Sequence, residues 1–546
     1  MKKDNFLKGT LMATFYIVIG KIIGIIYVIP FHKIIGEKGG ALYSYAYSTY
    51  SIFLNLSTVG IPLAISKIVS EYDSRGFYRT QKKIYIIARN IVIIVASTAT
   101  LLLFLLAPFI AWSMMGDIPG GNTVGDITFV IRVSAAALLF VAILGTMRGF
   151  LQGNRYISVS SSSQVIEQIA RVVFVVLGSY FVKNVLKCNL KQTVGIAVFG
   201  ATVGAFAAII YLKNKISKDK SSKTDYEVTD EEKRITNSLL MKKLFIITIP
   251  FVIVGIIDPF YEFVNSLTVV KTLVNNCGFS ACDAENIKSV IGTWGLKFNA
   301  IVMAVASGAT VSVLPNITKD IVSKNIDGMK KKVNKTLQIL IYTTLPMATG
   351  LYLLAQPVWN IFYSQNELGV KVFMFNIFVT IFSSLGMNIN VIMQSLNKFK
   401  IVYISSLSGV ILHAIAIIPL MIFFDRIGWG AYNGVTFSVI LGLSLSTFIN
   451  LLSLKKIYKI KYKKTVRELV ICVIAVLAMT AIIILLKLFI PTNIPNRGLA
   501  ILCVAFFSLI GSSIYIFITY SAKTVDHIFG KNILKKIPIL NRLSVK

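Results

Sequence analysis

Apolar runs of about 20 residues or more, each long enough to cross a bilayer as a helix, alternate along the chain with short polar joints. They fall at 7–30, 42–66, 84–115, 126–148, 157–182, 192–212, 243–268, 290–316, 336–356, 367–396, 401–424, 429–454, 466–490 and 497–521. The pattern predicts an all-α polytopic membrane protein of about 14 transmembrane helices, because only a helix satisfies its own backbone in lipid. One stretch departs from the hydrocarbon rhythm. Gln152 to Arg171, QGNRYISVSSSSQVIEQIAR, opens on a basic turn, continues through Ser160 to Ser163, and sets Glu167 and Arg171 four residues apart. On a helix that spacing puts both charges on one face. A face with an ion pair and a run of serines has to look at protein or at a water-filled cavity.

Composition agrees with this class. Hydrophobic residues make up 55% of the 546 and charged ones 14%, against about 25% charge in soluble chains, and mean hydropathy is +0.74. The net charge of +33 would suggest nucleic acid in a soluble protein. Here the placement of the lysines matters more, and no nucleic-acid partner is expected. Lys2, Lys3 and Lys8, Arg75 to Lys83, Lys213 to Lys243, Lys319 to Lys335, Lys455 to Arg467 and Lys523 to Lys546 all fall on one predicted side. Basic loops mark the cytoplasm, so both termini are expected there. Lys183, Lys187 and Lys191, on the opposite side, are the exception. The first apolar run is full-length and lacks a small-residue cleavage site, so no cleavable signal is expected. Cys188, Cys472 and Cys503 read as apolar fillers, while Cys277 and Cys282 share an outer loop where an oxidising exterior permits a disulfide. His32, His413 and His527 have no ligand spacing, and neither a metal nor another cofactor is expected.

The chain also echoes itself. IPLAISKIVS (Ile61 to Ser70) returns as LPNITKDIVS (Leu314 to Ser323), and Gln152, Asn154 and Arg155 return as Gln394, Asn397 and Lys398. Both echoes fall after even-numbered spans, on the same predicted side. The expected organisation is an N-terminal lobe of helices one to six (1–213), a charged cytoplasmic linker (214–242), a parallel-related C-terminal lobe of helices seven to twelve (243–455), and two appended helices with a basic tail (456–546). Two halves around a central cavity suit alternating access.

Charge inside the spans supplies the candidate chemistry. At about 1.5 Å per residue, Lys21 and Arg171 lie ~20 Å into their spans from the cytoplasm, and Arg132 and Lys297 enter ~10 Å from outside. Glu167, Asp258 and Glu262 are the acidic partners, or sites of ion coupling. Cations exceed anions, which suits a diphosphate needing several charge-assisted donors. Glu167 with Arg171 reads equally as a structural pair, and Lys297 equally as the neutraliser of Asp258. The run Tyr43, Tyr45, Tyr47, Tyr50 suits helix packing or sugar stacking. Asp258 and Glu262 share a face, but no catalytic role is expected of them.

GKIIGIIYVIPF (Gly20 to Phe31), GGALYSYAYSTYSIFLNLSTVGIPLAISKIVSEY (Gly39 to Tyr72), RGFLQG (Arg148 to Gly153) and SQVIEQIARV (Ser163 to Val172) resemble the MurJ/YtgP lipid II flippases. These are part of the multidrug/oligosaccharidyl-lipid/polysaccharide exporter superfamily, with the stage V sporulation protein B group. The resemblance implies a two-lobed flippase, not an enzyme, that moves undecaprenyl-diphosphate-linked cell-wall precursor from the inner to the outer leaflet. Its partners would be that glycan lipid, membrane lipids and the cell-wall synthesis machinery. It implies cations at Lys21 and Lys297, and a tail groove formed with the two appended helices. Further arginines of the family's first two helices are replaced here by Tyr27 and the tyrosine run. Other readings stay open: a cation-coupled multidrug exporter, which should show an acidic cavity, and a flippase for another polyprenyl-linked unit. A membrane-embedded transferase would need a catalytic cluster in a large outer loop, and the loops are short. No Walker motif is present.

Overall fold

Helix is the only regular structure among the described residues of the computed structural model, which are 6–58, 60–217, 229–310, 317, 320, 321, 323–363 and 365–530. The chain divides into two compact units, Met1–Trp294 and Gly295–Lys546. Twelve helical stretches are long and apolar enough to cross a membrane, or thirteen if one bent pair counts as a span. The expected 14 is therefore not reached among the described residues.

The first unit contains α1 (Phe6–Ile26), α2 (Val28–Thr58), α3 (Ile61–Ser74), α4 (Tyr78–Met115), α5 (Val124–Gly153), α6 (Ile157–Tyr180) and α7 (Leu190–Ser217). After these come α8 (Asp230–Lys233), α9 (Asn237–Ile257), α10 (Pro259–Cys277) and α11 (Ala281–Ser289), which continues into a π turn at Val290–Trp294. Hydrocarbon gives no hydrophobic drive between helices in lipid, so small residues set how close they come. Gly145, Gly149 and Gly153 form such a stripe on α5: a Cβ at Gly149 would stand 2.5 Å from the Pro62 carbonyl oxygen, and one at Gly153 2.7 Å from Val69 Cβ. On α7 a Cβ at Gly204 would stand 2.7 Å from the Glu167 carbonyl and 3.0 Å from Arg171 Cβ. These two close approaches aim one face each of α5 and α6 at the same space. The start of α5 is fixed by a capping box between Thr123 and Asp126. The exceptional basic loop is absorbed locally, with Lys191 3.5 Å from Asp126 and Lys183 donating to the Ile34 carbonyl.

The second unit contains α12 (Gly295–Thr310), α13 (Ile326–Leu353), α14 (Ala355–Phe362), α15 (Glu367–Asn376), α16 (Val379–Ser395), α17 (Phe399–Arg426) and α18 (Ala431–Tyr458). α19 (Lys463–Lys487), α20 (Arg497–Ser521) and α21 (Thr524–Phe529) follow. The predicted span at 336–356 is broken, since α13 and α14 meet at 80°. A ladder of polar side chains ties α16 to α18: Asn450 donates to Asn390 Oδ1 at 2.9 Å, and Ser405 donates to Asn450 Oδ1 at 3.0 Å. At the far end Glu468 accepts from Thr524 at 2.6 Å and lies 3.0 Å from His527, which ties α21 to α19.

The sequence echo has a structural counterpart in the turns. After α5 the Arg155 amide bonds the Gln152 carbonyl at 3.0 Å and Tyr156 bonds Leu151 at 2.8 Å. After α16 Asn397 bonds Gln394 at 2.9 Å and Lys398 bonds Met393 at 2.9 Å. Arg155 and Asn397 are both left-handed, at φ 65° and 57°, so the same helix-ending motif recurs. The turn at Gly76 likewise recurs at Lys324. Most of the echo from Leu314 to Ser323, residues 218–228 of the linker and the tail from 531 lie outside the described residues. Cys277 and Cys282 are not joined.

Candidate functional site

A cavity of about 240 Å³ opens inside the first unit between α2, α5, α6 and α7. Tyr43, Tyr47 and Tyr50 line it from α2, Ser134 and Arg148 from α5, Glu167 and Arg171 from α6, and Ala197 and Ala201 from α7. Glu167 is its centre of charge. Arg171 Nη2 lies 2.5 Å from one carboxylate oxygen and Arg148 Nη2 3.0 Å from the other. Arg148 also donates through Nε to Ser163 Oγ at 2.8 Å. Two guanidiniums share one carboxylate, leaving a surplus of one positive charge beside three phenol rings. Side-chain exposure grades from 13% for Glu167 and 16% for Arg148 to 33% for Arg171, so Arg171 is the group most open to a visitor. Arginine presents a planar fork of donors suited to phosphate or carboxylate oxygens.

The serine run builds the wall. Ser163 donates to the Ser160 carbonyl at 2.6 Å, Ser160 Oγ accepts from Gln152 at 3.0 Å, and Ser162 pairs with the Tyr211 hydroxyl at 2.9 Å. The α2 rings form a strip in which Tyr43 and Tyr47 stack at 6.5 Å and 8°. Tyr50 is 6.3 Å from Tyr47 at 47°.

A second polar cluster sits where α2, α10 and α11 meet. Glu262 Oε1 accepts from Lys288 Nζ at 2.5 Å and from Ser44 at 3.3 Å, while Oε2 accepts from Asn265 at 3.1 Å. Nearby Ser289 donates to Glu37 at 2.6 Å, and His32 lies 3.1 Å from the same carboxylate group.

The structure therefore brings Glu167 and Arg171 together, and adds Arg148. Glu262 has a buried lysine as its partner, and that lysine is Lys288. Lys21 is exposed on α1, which packs on α6, and does not line the cavity. Arg132 is also outside it: the side chain is exposed, with Nε 3.3 Å from the Phe104 carbonyl and the guanidinium 4.8 Å from the Phe104 ring centroid. Asp258 is exposed at the break between α9 and α10, where Pro259 begins the next helix. Lys297 is half-buried at the start of the second unit. Sequence reasoning missed Arg148 and Lys288. The stripe Gly145, Gly149, Gly153 signalled that α5 is closely packed around Arg148, and Lys288 carried no comparable sign.

A cavity of about 450 Å³ opens in the second unit, and its wall is almost wholly apolar. Ile301 and Val305 of α12, Pro346, Met347 and Gly350 of α13, Met479 and Ile483 of α19 and Phe507, Gly511 and Tyr515 of α20 line it.

The chain is an all-helical, multi-pass membrane protein with a cationic cavity in one unit and an apolar one in the other, and its fold resembles that of solved structures of the MOP superfamily. An inward-facing MATE family multidrug transporter of that superfamily superimposes with a TM-score of 0.63 at 12% identity, covering 82% of this chain and 94% of its own. A lipid II flippase MurJ in an inward closed conformation gives 0.63 at 15% identity, covering 94% and 99%. Residues 6–276 match the family model described as polysaccharide biosynthesis protein. The chain is 29% identical over 540 residues to the lipid II flippase MurJ of Bacillus subtilis, covering 97% of this chain and 98% of that one. It is 21% identical over 463 residues to stage V sporulation protein B of the same organism, covering 85% and 86%. The resemblance carried by the first 172 residues thus extends along the chain, which is a relative of the lipid II flippases.

Proposed function

We propose that the protein is a flippase that moves the undecaprenyl-diphosphate-linked peptidoglycan precursor, lipid II, from the inner to the outer leaflet by alternating access. The observation that carries this reading is the sign of the first cavity, where Arg148 and Arg171 outnumber Glu167. A lipophilic cation would be repelled there, and a diphosphate drawn in. The likeness to a lipid II flippase over nearly the whole chain points the same way. The 450 Å³ apolar cavity, walled in part by the two C-terminal spans, suits a stretch of prenyl tail. Lys21 and Lys297 serve as further diphosphate contacts, with Arg132 on the path. Asp258 and Glu262 balance charge. The turns repeated 242 and 248 residues apart, at Arg155 and Asn397 and at Gly76 and Lys324, support two parallel-related lobes, 1–213 and 243–455, with 456–546 appended. Both termini face the cytoplasm, no chemistry is done on the precursor, and the cell-wall synthesis machinery takes the product.

Reconstitution into proteoliposomes tests the reading. The wild type should carry lipid II across the bilayer. Arg148→Ala, Arg171→Ala, Lys21→Ala and Lys297→Ala should each lower the rate at least tenfold, about 1.4 kcal/mol, with the protein retained in the membrane. Efflux of a cationic dye driven by sodium or protons, lost in Asp258→Asn and intact in Lys21→Ala, would decide for a drug exporter instead.

A further inference from the structure

The Glu262 cluster is built differently from the cavity, and its lysine points to a separate role. Lys288 is 0% exposed, in a span that runs from Ala281 to Ala306. Its ammonium carries three donors, with Glu262 at 2.5 Å and the face of the Tyr45 ring at 5.9 Å. Around the same carboxylate stand the oxygen ligands that a hard monovalent cation takes. Ser44 Oγ is 3.3 Å from Glu262 Oε1. Asn265 donates to Oε2 and leaves its own Oδ1 buried with no hydrogen-bond partner. A spare acceptor of this kind is what a bound cation would use, and leaving it bare is costly. The backbone closes the site. Gly292 lies in the π turn Val290–Trp294, a form frequent at functional sites, and a Cβ there would stand 2.6 Å from Glu262 Oε1.

We propose that this cluster is a monovalent-cation site whose occupant is the ammonium of Lys288, a cation tethered to the chain. The tether makes the site permanently loaded, so the folded protein does not depend on sodium at this position. Removing the lysine uncovers a buried carboxylate with oxygen ligands around it, and a sodium ion takes the place of the ammonium. The inference stands on the Glu262 cluster alone and is independent of which lipid is carried.

The test is thermal unfolding of the purified full chain in detergent, in 300 mM sodium chloride against 300 mM choline chloride, so that ionic strength is constant. The wild type should unfold at the same temperature in both. Lys288→Ala should unfold several degrees higher in sodium, with a midpoint that rises with sodium concentration. The double variant Glu262→Gln/Lys288→Ala should be indifferent to the salt. A Lys288→Ala protein stabilised by sodium over choline no more than the wild type overturns the proposal, as does a folded Lys288→Ala protein that responds to acidification and not to sodium. If Lys288→Ala accumulates only when extracted in sodium, the proposal holds. If it fails in both salts while the double variant accumulates, the ammonium itself is required and the proposal fails.

Discussion

The cavities of the two units are walled by similar apolar helices and differ in what small residues let those helices do. In the first unit Gly149 and Gly204 draw α5 onto α3 and α7 onto α6, and this close packing places Arg148, Glu167 and Arg171 on one space of about 240 Å³. In the second, a Cβ added at Gly350 would meet nothing within 4 Å, so this glycine leaves room in a space of about 450 Å³. The same residue type buys proximity of charge in one unit and emptiness in the other. A polar headgroup and a prenyl tail ask for those two things.

The strongest way to break this comparison is to remove the single negative charge of the first cavity. Glu167→Ala would leave Arg148 and Arg171 facing each other with no anion between them. Breaking a buried pair from one side costs about 3–5 kcal/mol, and the third of Arg171 that is exposed places the expected loss near the low end. Thermal unfolding in detergent should show a clearly lowered midpoint, with Glu167→Asp recovering part of it. An unchanged midpoint in Glu167→Ala would mean that solvent or lipid already neutralises the two arginines.

That pair also shows how far the sequence could be read. Glu167 and Arg171 are neighbours through helical periodicity alone, so four residues of spacing suffice to find them. Arg148 reaches Glu167 across an interhelical contact, and it sits at the very end of the predicted span 126–148, where a basic residue reads as a cytoplasmic flank. Lys288 was hidden for a similar reason. Hydropathy begins the eighth span at 290, whereas the helix starts at Ala281 and carries Lys288 inside. Partner choice for Glu262 then follows from packing of α10 on α11, which no spacing rule supplies. The spans themselves were legible because hydrocarbon demands long apolar helices, except at 336–356, where an 80° bend interrupts a run that hydropathy reads as continuous.

A middle-sized effect is expected from filling the second cavity. Gly350 lies on α13 and lines that space, so Gly350→Leu puts a side chain into open volume without strain. Replacing a helical glycine by leucine favours the helix by up to about 1 kcal/mol, so the unfolding midpoint should hold or rise. Transport of lipid II should nevertheless fall several-fold in proteoliposomes. A substrate analogue with a much shortened prenyl chain should be less affected, which locates the loss at the tail. Equal loss for long and short chains would separate this cavity from the tail.

The smallest expected effect sharpens what the tyrosine strip contributes to the first cavity. Tyr47 is 51% exposed, so its ring adds little to folding, and it stands stacked on Tyr43 at the cavity wall. If the strip offers a flat face to a ring of the headgroup, the phenol oxygen is dispensable and the ring is not. An aromatic contact contributes about 1 kcal/mol, close to fivefold in rate at constant protein level. Tyr47→Phe should therefore transport within about twofold of the wild type, and Tyr47→Ala about fivefold more slowly, both with unchanged unfolding midpoints. The rates of the two variants, measured side by side, separate the alternatives. If Tyr47→Phe is as slow as Tyr47→Ala, the hydroxyl is the working group, and the strip acts beside Arg148 and Arg171 as a hydrogen-bond donor to anionic oxygens. The polar character of the first cavity would then extend onto α2, and its contrast with the second would be wider than the charges alone make it.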